Sequence, residues 1–113
     1  YADGLDNPKN QAFIEAYKKA HGETPDVFAV QGYDSAQLFI AGLEAVNGDT
    51  SKKEDMIRAM ENAKLDSPRG PLSFSKSHNP VMNMYIREAR GDQNVMVGIA
   101  VEALADPSPD CKR

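Results

Sequence analysis

The side chains of this sequence that could do chemistry are two histidines, one cysteine and a scatter of carboxylates, and their spacing assembles no reactive set. His21 falls in the last turn of an expected helix, where a partly positive imidazole suits the negative end of the helix dipole. His78 falls in a turn. Cys111 has only Lys112 and Arg113 beside it and no helical setting to activate its thiol. There is no Cys pair, no His-Glu-x-x-His segment and no aspartate-rich calcium loop, so no metal site is expected. Gly70 and Gly98 stand alone and form no phosphate loop. No pair of carboxylates sits in the apolar context that tunes an acid against a base. The reading is of a protein with no catalytic residues, no metal and no cofactor.

What stands out instead is Gln31-Gly32-Tyr33-Asp34, which reads as the joint between a buried strand and the start of a helix. In open α/β sheets ligands gather at the carboxyl ends of strands. Free backbone N–H groups at a helix start also favour carboxylates. Gln31 offers an amide, Tyr33 a ring face and a hydroxyl, and Asp34 a carboxylate. These three are the candidate ligand-binding residues. The alternative is that Tyr33 packs and Asp34 merely caps.

Elements of secondary structure must position that joint. Asn7-Pro8 pairs a good N-cap with a residue suited to the first helical position. Phe13, Tyr17 and Ala20 then recur at helical spacing, and Gly22 closes the helix. After the turn Thr24-Pro25-Asp26, the unbroken apolar run Val27-Phe28-Ala29-Val30 predicts a buried strand. Gln31-Gly32-Tyr33 breaks it, and a second helix capped by Asp34 or Ser35 runs to about Val46. That helix is apolar nearly all round, so most of it must be covered. Gly42 in its middle is unfavourable by about 1 kcal/mol against Ala, which predicts close approach by another element. Ser51-Lys52-Lys53-Glu54 reads as a capping box for a third helix carrying Met56, Ile57, Met60 and Ala63. Beyond Ser67-Pro68-Arg69-Gly70-Pro71, three short strands alternate in polarity, and the last two form an antiparallel hairpin around Gly91 to Asn94. Residues 106–113 read as an irregular tail.

At 113 residues the chain can build one small core. Its 41% hydrophobic and 27% charged residues are those of a globular protein. A net charge of -4 speaks against nucleic acid as a partner. No apolar run approaches the ~20 residues a membrane-spanning helix needs. The chain opens Tyr1-Ala2-Asp3-Gly4 without Met, which fits a fragment or a processed product, so the lack of a leader leaves the compartment open. Cys111 is either a solvated thiol or half of a disulfide whose other half lies elsewhere. The very apolar helix finds few obvious partners within the chain, a mismatch that also fits a missing part of the fold.

Several of these segments, taken in order, carry a resemblance. They are Asn7-Pro8 through Phe13 and Tyr17, Pro25, Gln31-Gly32-Tyr33-Asp34-Ser35-Ala36, Ser67-Pro68-Arg69-Gly70-Pro71-Leu72-Ser73-Phe74, and Asn79-Pro80 leading to Tyr85-Ile86-Arg87-Glu88. The set resembles the C-terminal third of extracellular ligand-binding receptors related to the leucine/isoleucine/valine-binding protein, over about residues 1 to 105. That resemblance implies an α/β fold, the C-terminal part of a type I periplasmic-binding-protein clamshell with pieces of both lobes and antiparallel strands at its end. Residues 1–26 and 67–105 would belong to the C-terminal lobe, and residues 27–66 to the hinge crossing and the N-terminal lobe. It implies a periplasmic solute-binding component of an ABC uptake system. Such a component takes an amino acid or a small polar or aromatic acid at its hinge and presents it to a membrane permease. The family's main gripping residues lie upstream, so only Gln31 to Asp34 is left as a candidate for lining the cleft.

Two other classes stay open. One is a stand-alone interaction or ligand-sensing module that dimerises through the apolar helix. The other is a piece of an α/β enzyme, for which fold class is the only support.

Overall fold

The computed structural model describes residue 1 and residues 4–106. The elements run α1 (Pro8–His21), α2 (Val27–Ala45), α3 (Lys53–Glu61), β1 (Leu65–Ser67), β2 (Gly70–Phe74), β3 (Pro80–Arg90) and β4 (Gln93–Leu104). The expected tail, apart from Asp106, and Cys111 lie outside the described residues.

α1 is built as its sequence dictates. The Asn7 side-chain oxygen accepts from the Asn10 N–H at 2.7 Å, Pro8 opens the helix, and Gly22 closes it at φ 77° with its N–H on the Lys18 carbonyl. Phe13 is buried, and Tyr17 and His21 stack along the same side with ring centroids 4.4 Å apart.

The second helix corrects the expectation. Val27 to Val30 is no strand; it is the first turn of α2, which continues unbroken through Gln31, Gly32 and Tyr33 to Ala45. The reason is Asp26. Its carboxylate accepts from the N–H groups of Phe28 at 3.0 Å and Ala29 at 2.8 Å, which nucleates the helix eight residues before the cap expected at Asp34. A four-residue apolar run does not distinguish a strand from a helical turn, and the capping residue decides.

Gly42 does mark a close approach, since a Cβ there would lie 2.8 Å from Met60 Cγ and 3.1 Å from Met56 Cγ. α3 packs through that contact. Its expected capping box is absent: Lys52 occupies the cap position without a side-chain bond, and the Ser51 hydroxyl bonds to Asp49 at 2.6 Å.

The sheet is four-stranded in the order β1-β2-β3-β4, every neighbour antiparallel, with one more strand than expected because Leu65–Ser67 pairs back on β2 across the Ser67–Gly70 turn. β2 and β3 share only the pairs Ser73↔Val81 and Phe74↔Pro80. β3 and β4 form a long ribbon, paired from Arg90↔Gln93 back to Met82↔Leu104. Register shifts between Met82 and Met84, Met84 and Tyr85, and Ile86 and Arg87 break the expected strict alternation.

The core is small. Leu5, Phe13, Val30, Val46 and Leu72 are its buried apolar residues, whereas Phe28, Phe39, Ile57, Ile86 and Val97 are exposed. Among the described residues no helix is long and apolar enough to cross a membrane, and no cluster of three or more His, Cys, Asp or Glu could hold a metal ion.

Candidate functional site

Helical spacing puts Gln31, Asp34, Ser35 and Leu38 along one side of α2. Opposite them stand Arg69 in the β1–β2 turn, Leu72 and Phe74 of β2, and Pro80 at the start of β3. Together they line a cavity of about 290 Å³, polar around Asp34 and Arg69 and apolar toward Phe74.

Arg69 was not singled out by sequence reasoning, yet it anchors this region. Its Nε and Nη2 donate to Asp34 Oδ2 at 2.8 and 2.7 Å, with side-chain exposures of 11% and 7% for the two partners. A pair so dry must be held rigidly to offset its desolvation. The turn provides that. The Arg69 N–H donates to Ser67 Oγ at 3.0 Å, and the Arg69 carbonyl accepts from the Tyr85 hydroxyl at 2.6 Å. Asn7 Nδ2 donates to the Pro68 carbonyl at 3.2 Å. Gly70 sits at φ 97°, and a Cβ there would lie 2.9 Å from Tyr85 Oη. One four-residue turn therefore ties the cap of α1, the middle of α2 and strand β3 together. An arginine in a proline- and glycine-bounded turn gives no sign in the sequence that it is buried, and burial is what requires an acid to meet it.

The structure does not bring the three residues expected to bind ligand onto one surface. Because α2 starts at Val27, they lie within a helix and not at its N-terminus, so no free backbone N–H groups surround them. Asp34 is buried, and among the described residues its Oδ1 has no hydrogen-bond partner. Gln31 is exposed and lines the cavity. Tyr33 lies on another side of the helix, its ring 5.0 Å from that of Phe13 and with Lys9 Nζ 6.0 Å from its centroid. Tyr33 is half-buried there and packs on Phe13. His78, read as a turn residue, meets Glu61 with Nε2–Oε1 at 2.6 Å on the rim of an apolar groove lined by Leu38, Ile57, Met60 and Phe74.

The chain thus carries a polar-edged cavity between α2 and the start of the sheet. The periplasmic binding protein family matches residues 1–94. The chain belongs to that family. A solute-binding protein of an ABC transporter from R. palustris, solved in complex with benzoate, is 47% identical across all of this chain with a TM-score of 0.94. A second solute-binding protein, from Rhodopseudomonas palustris BisB5 in complex with 3,4-dihydroxybenzoic acid, is 32% identical over 95% of the chain with a TM-score of 0.82. The Leu/Ile/Val-binding protein homolog 6 of Brucella abortus is 33% identical over 78% of the chain. This periplasmic binding protein chain spans 31% of the benzoate-binding relative and 23% of the Brucella one. Its α/β fold, helices followed by a curled antiparallel sheet, is the one those structures share over this stretch.

Proposed function

We propose that these residues form part of the solute-binding component of an ABC uptake system, working in the periplasm and handing its solute to a membrane permease. The observation that carries this reading is the 47% identity, over the whole chain, to a solute-binding protein that holds benzoate. The solute proposed is a small organic acid, aromatic in the first instance, with amino acids as the second class because of the likeness to a Leu/Ile/Val-binding protein homolog.

On this reading no bond is made or broken. A solute binds one lobe, closure buries it, and the closed form is what the permease meets. Gln31 and Asp34, with Arg69 behind them, are this chain's proposed contribution to the polar wall of the site, and Tyr33 supports α2 from the other side. The proposed lobe boundaries are those implied by the resemblance, with residues 27–66 in the lobe opposite residues 1–26 and 67–105. Across that proposed boundary α2 meets α1 through Phe13–Tyr33 and the 67–70 turn through Asp34–Arg69, and hydrogen exchange with and without solute would report whether the two sides part.

Titration calorimetry of the intact protein carrying this chain with benzoate, 4-hydroxybenzoate and leucine tests the proposal. The expected result is dissociation constants on the order of micromolar for an aromatic acid. Absence of heat with all three would remove the solute assignment. The chain alone should show no micromolar binding, because it spans 31% of the relative that holds benzoate.

A further inference from the structure

Asn47-Gly48 is the one Asn-Gly pair in the sequence, and it follows directly on the cap of α2 at Val46. Asparagine before glycine is open to a spontaneous reaction, because glycine has no side chain to hinder its own backbone nitrogen. That nitrogen bonds to the asparagine Cγ, and the Cγ–Nδ2 bond breaks. The amide leaves as ammonia, carrying the proton that the backbone nitrogen gives up. Water then opens the cyclic imide at either carbonyl. The product is aspartate or, where the chain now runs through Cγ, isoaspartate. No oxidant or reductant takes part.

The structure holds the two reacting groups apart in a specific way. Asn47 is left-handed at φ 52° and Gly48 at φ 78°. The Asn47 N–H donates to the Glu44 carbonyl at 3.0 Å, and the Gly48 N–H to the Leu43 carbonyl at 2.9 Å. This pair of bonds is the Schellman closure of a helix, with Asn at the left-handed position. The attacking nitrogen is therefore engaged, and it cannot shed its proton and turn on Cγ until the bond to Leu43 opens. The group under attack is accessible by contrast. Both residues are exposed, and among the described residues the Asn47 side chain has no hydrogen-bond partner. Val46, buried beside them at 3% exposure, anchors the turn.

We propose that Asn47 is a self-modifying site gated by the Gly48–Leu43 hydrogen bond, converted only while the end of α2 is open. Residue 47 thereby records how often the joint between α2 and α3 opens. Conversion also weakens that joint. It adds a carboxylate at the negative end of α2, in a stretch that already carries Glu44 and Asp49. Isoaspartate lengthens the backbone inside the turn, so the two closing bonds cannot both persist. None of this depends on which solute the protein takes.

The test uses the intact protein at neutral pH, folded and in urea. Peptide mass spectrometry follows conversion at Asn47, and hydrogen exchange follows opening at the Gly48 amide. Conversion should be about 10- to 100-fold slower in the folded protein, by the same factor that protects the Gly48 amide from exchange. Val46→Ala trims the anchor and should speed both processes together. Asn47→Gly removes the reacting amide, suits the left-handed position, and should melt no lower than wild type. Asn47→Asp, which carries the product, should melt below Asn47→Gly. Conversion as fast in the folded protein as in urea overturns the proposal. So does a Val46→Ala variant whose Gly48 amide exchanges faster while Asn47 converts at the wild-type rate.

Discussion

Arg69 holds Asp34 by one oxygen only. Both of these hydrogen bonds fall on Oδ2, at 2.8 and 2.7 Å, while Oδ1 is buried with no partner among the described residues. Across the 35 residues that separate them, this pair joins the middle of α2 to the turn that starts the sheet. Everything else in that turn serves to keep Arg69 where Asp34 can meet it.

Breaking such a pair from one side should be costly, and removing both sides should not. Asp34→Leu leaves a guanidinium buried without its counter-charge and is expected to lose about 3–5 kcal/mol. The double variant Asp34→Leu with Arg69→Met should recover most of that loss, because apolar groups of similar volume can fill the same dry space. Urea melts of the four proteins in this cycle supply the comparison. A double variant as unstable as the single one would show that the turn needs the charges themselves.

Tyr85 and Gly70 make a second coupled pair. Tyr85→Phe removes a 2.6 Å bond to a carbonyl and should cost about 1 kcal/mol. Gly70→Ala pushes a Cβ to 2.9 Å from that hydroxyl and demands φ 97° of a residue with a side chain, so a loss of about 1–3 kcal/mol is expected. In the double variant the oxygen is gone and only the backbone strain persists. The two losses should therefore add to less than their sum, and simple additivity would mean that the close contact is relieved at no cost.

The helices that announce their own ends were legible in the sequence. Asn7-Pro8 and Gly22 bound α1 where expected, and the hairpin of β3 and β4 followed from its alternation. What misled was an apolar run too short to show a period. Val27 to Val30 suits a buried strand as well as a helical turn, and the deciding residue was Asp26, one position outside the run. The placement of the candidate site residues turned on the same point. Gln31, Tyr33 and Asp34 were adjacent in sequence, but on a helix adjacent residues point different ways, so Tyr33 met Phe13 while Asp34 met Arg69. The Asp34–Arg69 pair is a long-range contact with no local pattern, and only burial of the turn reveals it.

Asn7 has two jobs that can be separated. Its oxygen caps α1 through the Asn10 N–H, and its amide nitrogen donates to the Pro68 carbonyl. Asn7→Asp keeps the cap and loses the donor, whereas Asn7→Ala loses both. The alanine variant should lose about 1–2 kcal/mol and the aspartate variant less than half of that. If thermal melts place the two variants level, the bond to Pro68 carries the larger share, and α1 is held to the turn more by that link than by its own cap.

Gly42 poses a contest between local propensity and packing. Alanine there would favour the helix by about 1 kcal/mol. Its Cβ, however, would stand 2.8 Å from Met60 Cγ and 3.0 Å from Met60 Sδ, distances at which something must move. Methionine is flexible, so Met60 can swing aside, but Met56 Cγ at 3.1 Å closes the other side. Overpacking of this kind costs about 1–3 kcal/mol, which outweighs the propensity gain. Gly42→Ala should therefore lower the melting temperature. Adding Met60→Ala should make the glycine substitution less harmful than it is in the wild-type background, since the colliding atoms are gone. A higher melting temperature for Gly42→Ala alone would mean that α3 is held loosely against α2 and that the contact shapes the helix pair less than its geometry suggests.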